Sequence, residues 1–303
     1  MCVTPTVIAV VVTHNRRDLL TESLTALAAQ SRTPDSVIVV DNASTDGTAA
    51  LVRERFPGVR LLELPDNIGG AGGFAAGIAD ALSLDPTYIW LLDDDTVPSA
   101  TALDTALSAF AAAPGAVLVA SRVQWTDGRD HPMNTPRPRR SRDALPPDCV
   151  RIRSASFVST LIAAEAARAT DLPIADYFLW NDDFEYTARL LRGRLGLLCR
   201  ASVVTHKTAV YGSTDADPGS RFYYEVRNKL WLFTRSRALG PAERLLFAGA
   251  TLRRWLRTYA RSADRAVLRR ELVRGLSAGL RTRPRSTRAV LASSPSRRTA
   301  RSD

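Results

Sequence analysis

Three consecutive carboxylates, Asp93-Asp94-Asp95, follow the apolar run Tyr88-Ile-Trp-Leu-Leu92. An extended segment points alternate residues the same way, so Asp93 and Asp95 can converge. Crowded negative charges at a strand end repel one another unless a cation offsets them, and a hard divalent ion prefers carboxylate and phosphate oxygens. The bland alternative, a solvated acidic turn, fits poorly after so apolar a strand. A second acidic group, Asp182-Asp183-x-Glu185, opens a helical run after Phe178-Leu179-Trp180-Asn181. Asn181 suits an N-cap, and first-turn acids favour the helix dipole without any catalytic role. The adjoining aromatics point further, because a carboxylate beside a bound hydroxyl can act as a general base and aromatic faces can shelve a ring. His206, one of three histidines, closes an apparent strand at 197–205 and is a candidate third metal ligand.

The stretch Asn67-Ile68-Gly69-Gly70-Ala71-Gly72-Gly73-Phe74 places four glycines just before an expected helix. Such a segment lets backbone approach a ligand and presents amides suited to phosphate, or it is simply a tight turn needing positive φ. Within it Gly70-x-Gly72-x-x-Ala75 is an imperfect dinucleotide fingerprint, so a nicotinamide-dependent oxidoreductase with a Rossmann fold competes. Two features oppose that reading. A complete βαβ unit precedes the glycines, whereas the fingerprint belongs in the first, and a cofactor pocket gains nothing from three crowded carboxylates.

These residues need a frame. Strand patterns near 7–13, 36–41, 59–64, 88–93 and 116–120 alternate with helical patterns near 17–29, 45–56, 73–82 and 100–112. The alternation predicts an α/β, Rossmann-like, mostly parallel sheet with helices on both faces. Ligands bind beyond the carboxyl ends of such strands, and those ends here read Thr13-His14-Asn15, Asp41-Asn42, Asp66-Asn67 and Asp93-Asp94-Asp95. Residues 121–147, rich in Pro, Arg and Asp, read as a long loop or lid. Further helices are expected over 221–235 and, Leu- and Arg-rich, beyond 241. The predicted organisation is therefore a domain over 1–240, an amphipathic basic helical extension over 241–283 and a disordered Arg/Ser/Pro tail over 284–303.

At 45% hydrophobic and 24% charged, the 303 residues match a globular protein, and no apolar run is long enough to span a bilayer. Residues 7–12 are too short for a signal-peptide core, so a cytoplasmic protein is expected. Cys2, Cys149 and Cys199 lack any Cys-x-x-Cys spacing and predict neither zinc site nor disulfide framework. The net charge of +10 is confined to one end: fifteen arginines against three acids lie from Arg253 onward, leaving the preceding residues at about −2. Without an aromatic platform in that tail, nucleic acid is not an expected partner. Arg with Trp255 and Leu at helical intervals suits an anionic membrane surface instead, hence a peripheral place on the inner face of the cell membrane.

Taken together, Val-Val-Thr-His-Asn-Arg (11–16), Val-Val-Asp-Asn-Ala-Ser (39–44), the glycine stretch (67–74), Leu-Leu-Asp-Asp-Asp (91–95) and Trp-Asn-Asp-Asp-Phe-Glu (180–185) resemble family 2 glycosyltransferases of the GT-A fold. The glycine stretch and Tyr-Tyr-x-x-Arg-Asn at 223–228 are most similar to bacterial galactofuranosyltransferases of cell-wall galactan synthesis, with rhamnosyltransferases next. The resemblance implies an inverting transferase using a UDP- or dTDP-linked sugar donor, Mn²⁺ or Mg²⁺, and a glycan or polyprenyl-linked acceptor. It places Thr13, Asn15, Arg16 and Asp41 near the donor nucleotide, Asn67, Gly69, Gly70, Gly72 and Gly73 along the sugar diphosphate, and Asp93 and Asp94 among the donor-binding residues. Asp93, Asp95 and His206 match the metal ligands and Asp183 the catalytic base, with Asp182 the alternative because Asn181 departs from the usual pattern. Trp180 and Glu185 fall on the acceptor side.

Overall fold

The structure, a computed structural model, describes residues 4–136, 138–139, 144–212 and 217–298. Strand β1 (Val7–Thr13) is buried along its whole length, as its unbroken apolar run requires of a strand covered on both faces. It pairs in parallel with β2 (Ser36–Asn42) and β4 (Tyr88–Asp93), and β2 pairs in parallel with β3 (Arg60–Leu64). The connections are α1 (Arg17–Ala28), α2 (Thr48–Arg55) and α3 (Gly69–Leu82). The period of two in β1 divides the core. Val7, Ala9 and Val11 meet Leu20, Leu24 and Leu27 on one face, while Ile8, Val10 and Val12 meet Phe74 and Ile78 on the other. Each Val, Leu, Ile or Phe among them, fully buried, stabilises the fold by roughly 1.5–3 kcal/mol.

The second half departs from the parallel expectation. After β5 (Thr96–Pro98), α4 (Ala102–Ala112) and β6 (Ala116–Gln124) come β7 (Cys149–Ile152) and β8 (Ser159–Ala163), and β8 inserts antiparallel between β4 and β6. It is reached from β7 without a crossover helix, so nothing imposes a parallel direction. Helices α5 (Ala164–Arg168) and α6 (Asp182–Leu190) lead to β9 (Leu195–His206), which runs parallel to β6 and antiparallel to β5 and β7. Cys149 stands opposite Cys199 in the β7–β9 ladder, both buried and unbridged; 50 residues apart in sequence, they gave no sign of being neighbours.

Helices α7 (Phe222–Thr234), α8 (Pro241–Arg261) and α9 (Arg265–Arg281) follow. The tail expected to be disordered from 284 instead forms α10 (Thr287–Ser293) and β10 (Arg297–Arg298). Its anchors are physical: Thr287 Oγ1 donates to the Pro173 carbonyl at 2.7 Å, Val290 is buried, and β10 adds antiparallel to β3. Composition alone hid the one apolar turn that docks. Residues 299–303 of that expected tail lie outside the described residues.

Candidate active site

The carboxyl ends of β1, β2 and β4 meet at one sheet edge, and the chain leaving β4 supplies Asp93, Asp94 and Asp95. It then turns at once into β5, whose Thr96 pairs with His206 at the end of β9, and Lys207 N donates to the Asp95 carbonyl at 2.8 Å. This short strand is why a histidine 111 positions away faces the acidic run. Ligand atoms of Asp93, Asp95 and His206 lie within 4.8 Å of one another. His206 Nε2 is 3.0 Å from Asp95 Oδ1, which is buried and has no other hydrogen-bond partner among the described residues. An orphaned carboxylate oxygen beside an imidazole and a second carboxylate is a donor set that fits a divalent metal.

Electrostatics agree. Burial and then Asp95 push the Asp93 carboxyl up to about 7. Burial likewise raises Asp94, to about 6, against the pull of Arg16. Burial opposes ionisation of Asp95 too, but His206 and Arg16 outweigh it and hold this carboxyl below its ordinary value. His206 is raised, since Asp95 more than offsets the cost of burying an imidazolium. Arg16 Nη1 reaches Asp94 Oδ1 at 3.1 Å and Asp95 Oδ2 at 2.7 Å with half its side chain in solvent.

The second acidic motif faces the first. Asp182 and Asp183 open α6, and their charges act on Asp93 across the site. Both carboxyls are raised by burial, Asp182 further by Asp183, while the Phe184 amide and then Lys229 partly offset the rise at Asp183. Asn181 occupies the expected N-cap position without capping: it is left-handed, and its Nδ2 donates to Glu225 Oε2 at 2.9 Å. Asp183 Oδ1 accepts from Phe184 N at 2.6 Å instead. The backbone before α6 is strained, with Phe178, Trp180 and Asn181 at φ of 64°, 66° and 66°, each worth about 1–3 kcal/mol where unsupported.

The remaining expected residues divide. Thr13 is buried with its hydroxyl beside the Asp94 carboxylate, and Asp41 is buried with Oδ1 accepting from Ser44 N at 2.9 Å. Asn15, left-handed, braces the neighbouring loop through Thr45 N at 2.7 Å. Asn67 accepts from Gly69 N at 2.8 Å. Trp180 is half-buried on the strained segment. The glycines belong to α3, which starts four residues earlier than expected. Gly69 has φ +75° and lies against the Phe178 carbonyl, and Gly70 has open space. Gly72 and Gly73 are buried, where a Cβ would strike Ile68 and Val12 at 2.5 Å. These two serve helix packing rather than a ligand, which corrects the expectation. Glu185 is corrected too: it is 1% exposed and bound by Arg189 at 2.9 Å and Ser236 at 2.7 Å, leaving nothing for an acceptor.

A family model matches residues 8–161 with the description Glycosyl transferase family 2, and a curated relative is 32% identical over 84% of this chain and 88% of its own. The chain belongs to glycosyl transferase family 2. That relative is galactofuranosyltransferase GlfT1 of Mycobacterium tuberculosis; its counterpart from Mycolicibacterium smegmatis is 48% identical over 106 residues, 35% of each chain. Among solved structures, residues 1–349 of S. aureus TarS superpose with a TM-score of 0.64 at 15% identity, covering 91% of this chain and 80% of that one. The mannosyltransferase PcManGT from Pyrobaculum calidifontis, in complex with GDP-Man and Mn²⁺, gives 0.57 at 19% identity over 96% and 80%. At such identities the likeness shows the fold alone, and that fold is the GT-A type.

As a family 2 glycosyltransferase the chain is an enzyme, and the nicotinamide alternative falls away. Sequence reasoning missed three residues of the site. Asn134, in the loop read as a lid, accepts at 2.9 Å from the edge of His206 opposite Asp95. Lys229 lies 8% exposed near Asp183. Asn42 binds the start of α3, donating to the Gly69 carbonyl and accepting from Ile68 N, both at 2.9 Å. Asn42 stood within a quoted motif; the other two carried no local signal.

Proposed function

We propose that this enzyme transfers galactofuranose, with inversion, from a UDP-linked donor to a glycan or polyprenyl-linked acceptor in cell-surface polysaccharide synthesis. The observation that carries the reading is the pairing of two acidic motifs across one site, one of them backed by His206. The names of the mycobacterial relatives favour the furanose donor, with a dTDP-linked rhamnose the second reading.

Asp93, Asp95 and His206 would hold the metal, Mn²⁺ or Mg²⁺, which when bound supplies a Lewis acid that offsets charge on the leaving diphosphate. Asp183 takes the acceptor hydroxyl proton, and that oxygen forms a bond to the anomeric carbon while the bond to the diphosphate breaks on the opposite face. One displacement inverts the configuration. Asp182 is the alternative base. Arg16 offers a half-exposed guanidinium to the anionic donor, Thr13, Asn15 and Asp41 lie toward its nucleotide, Asn67, Gly69 and Gly70 line its diphosphate, and Trp180 offers a shelf to the acceptor.

No helix among the described residues is long and apolar enough to cross a membrane. Helix α8 nevertheless exposes Leu245, Leu252, Leu256 and Tyr259, spaced seven, four and three apart, with Arg253 and Arg257 alongside. This apolar stripe beside cations supports attachment to an anionic membrane surface, where lipid-linked acceptors reside.

The test is nucleotide release from UDP-galactofuranose, dTDP-rhamnose, UDP-glucose and UDP-galactose, with Mn²⁺ or Mg²⁺ and with EDTA. Metal-dependent release from UDP-galactofuranose alone supports the reading. Release from another donor overturns the sugar assignment, and EDTA-resistant turnover overturns the metal.

A further inference from the structure

Between the short turn Ala175–Tyr177 and α6 the chain adopts a conformation that its residues do not favour. Phe178 has φ +64° and ψ −61° and Asn181 has φ +66° and ψ −2°. Leu179 N donates to the Tyr177 carbonyl at 2.7 Å, which makes Phe178 the centre of a γ-turn of the strained hand. Trp180 is left-handed as well, and none of these positions is glycine. Such a backbone persists only where its surroundings over-determine it.

The constraint comes from one side chain. Asn228 on α7 is fully buried, and its Nδ2 lies 2.9 Å from the Tyr177 carbonyl, 2.8 Å from that of Leu179 and 2.9 Å from that of Trp180. A single amide group thus gathers three carbonyls of one strained segment. Its orientation is fixed, because Arg227 Nε, which can only donate, faces Asn228 Oδ1 at 3.0 Å. Arg227 extends the grip through Nη2 to the carbonyls of Asp176 at 2.7 Å and Tyr177 at 3.0 Å, and its guanidinium lies 4.3 Å from the Trp231 ring centroid.

The gripped segment touches both halves of the site. Ala71 N, in the first turns of α3, donates to the Phe178 carbonyl at 3.2 Å, and Gly69 admits that carbonyl where any Cβ would collide with it. At its other end the segment becomes the N-terminus of α6 and delivers Asp182 and Asp183. We propose that Asn228 is a positioning residue, whose three-carbonyl clamp on residues 177–180 fixes the base-bearing start of α6 against the Asp93–Asp95 edge. It touches no reactant. The inference rests on the reading of Asp183 as the base.

The experiment compares wild type with Asn228→Ala and with the milder Asn228→Ser in hydrogen–deuterium exchange, melting, UDP binding with Mn²⁺, and transfer from UDP-galactofuranose. Exchange in the peptide spanning 176–182 should quicken at least tenfold in Asn228→Ala while β1 and β4 keep their protection. UDP affinity should stay within about twofold, and kcat per UDP-binding site should fall at least tenfold with little change in donor KM. A purely structural role would lower the melting temperature and the fraction of binding-competent protein but leave kcat per site intact, and that result overturns the proposal. Unchanged exchange in 176–182 overturns it independently of any turnover. Asn228→Ser, which keeps one donor, should lie between the two; equality with wild type would refute the clamp. Asp183→Asn run in parallel separates the claims: normal turnover there refutes the base assignment while the exchange result still judges the clamp.

Discussion

His206 is held from both edges: Nε2 stands 3.0 Å from Asp95 Oδ1, and Nδ1 stands 2.9 Å from Asn134 Oδ1. The Asn134 oxygen can only accept, so Nδ1 carries a proton and Nε2 is left to face the carboxylates. Asn134 is itself fixed by donating to Ser156 Oγ at 3.1 Å. Replacing Asn134 with Leu should therefore weaken Mn²⁺ binding in the presence of UDP by about 10–100-fold, and His206→Ala by at least as much. Isothermal titration with each variant checks this, and an Asn134→Leu affinity equal to wild type would show that the ring needs no second partner.

If Asp183 is the proposed base and meets the acceptor rather than the nucleotide, Asp183→Asn should reduce transfer by about 10²–10⁴-fold while leaving UDP binding unaltered. Asp93→Asn or Asp95→Asn should weaken both. Steady-state rates set beside binding isotherms separate the two classes.

A base works only when deprotonated. Burial raises the Asp183 carboxyl above the ordinary carboxylate value, so activity should fall as pH decreases through a point above that value, with the protonated enzyme inactive. Lys229 favours the ionised form of Asp183. Lys229→Met removes that help, and the acid limb of the kcat profile should move to higher pH; an unmoved limb would mean that a different group titrates there.

Helix α3 packs on β1 through glycines. A Cβ on Gly73 would meet Val12 Cγ1 at 2.5 Å and one on Gly77 would meet Val10 Cγ1 at 2.4 Å, whereas Gly70 has nothing within 4 Å. Overpacking costs about 1–3 kcal/mol, against roughly 1 kcal/mol gained when alanine replaces glycine in a helix. Gly73→Ala and Gly77→Ala should thus lower the melting temperature, while Gly70→Ala should hold or raise it and instead weaken donor binding. Thermal melts of the three variants rank them.

If α8 rests on a membrane, the protein should sediment with phosphatidylglycerol vesicles and not with phosphatidylcholine vesicles. Leu252→Ser with Leu256→Ser should release it without changing transfer to a soluble acceptor. Both leucines are more than half exposed, so the fold should tolerate the exchange. Vesicle binding that survives the double substitution would refute α8 as the anchor.

The strands and helices of the first 120 residues were legible because their period is local: β1 reads as an unbroken apolar run, and α1 and α4 as amphipathic stretches. The acidic run, the second acidic motif and His206 could be named for the same reason, since residue type and position relative to a strand end suffice. Local pattern could not give strand direction, so the antiparallel β8 emerged only in three dimensions. It also could not say what a side chain meets. Glu185, Gly72 and Gly73 carry the right residue types for a ligand site, but packing spends them on Arg189, Ile68 and Val12. Conversely, Asn134 is ordinary in sequence, and Asn228 stands in the quoted Tyr-Tyr-x-x-Arg-Asn stretch without any sign of what it binds; their contacts come from partners 72 and about 50 residues away. Sequence by itself determined which chemistry the chain holds. The tertiary structure decided which groups stand within hydrogen-bond reach, because those distances are set by loops and sheet register that no short-range periodicity encodes.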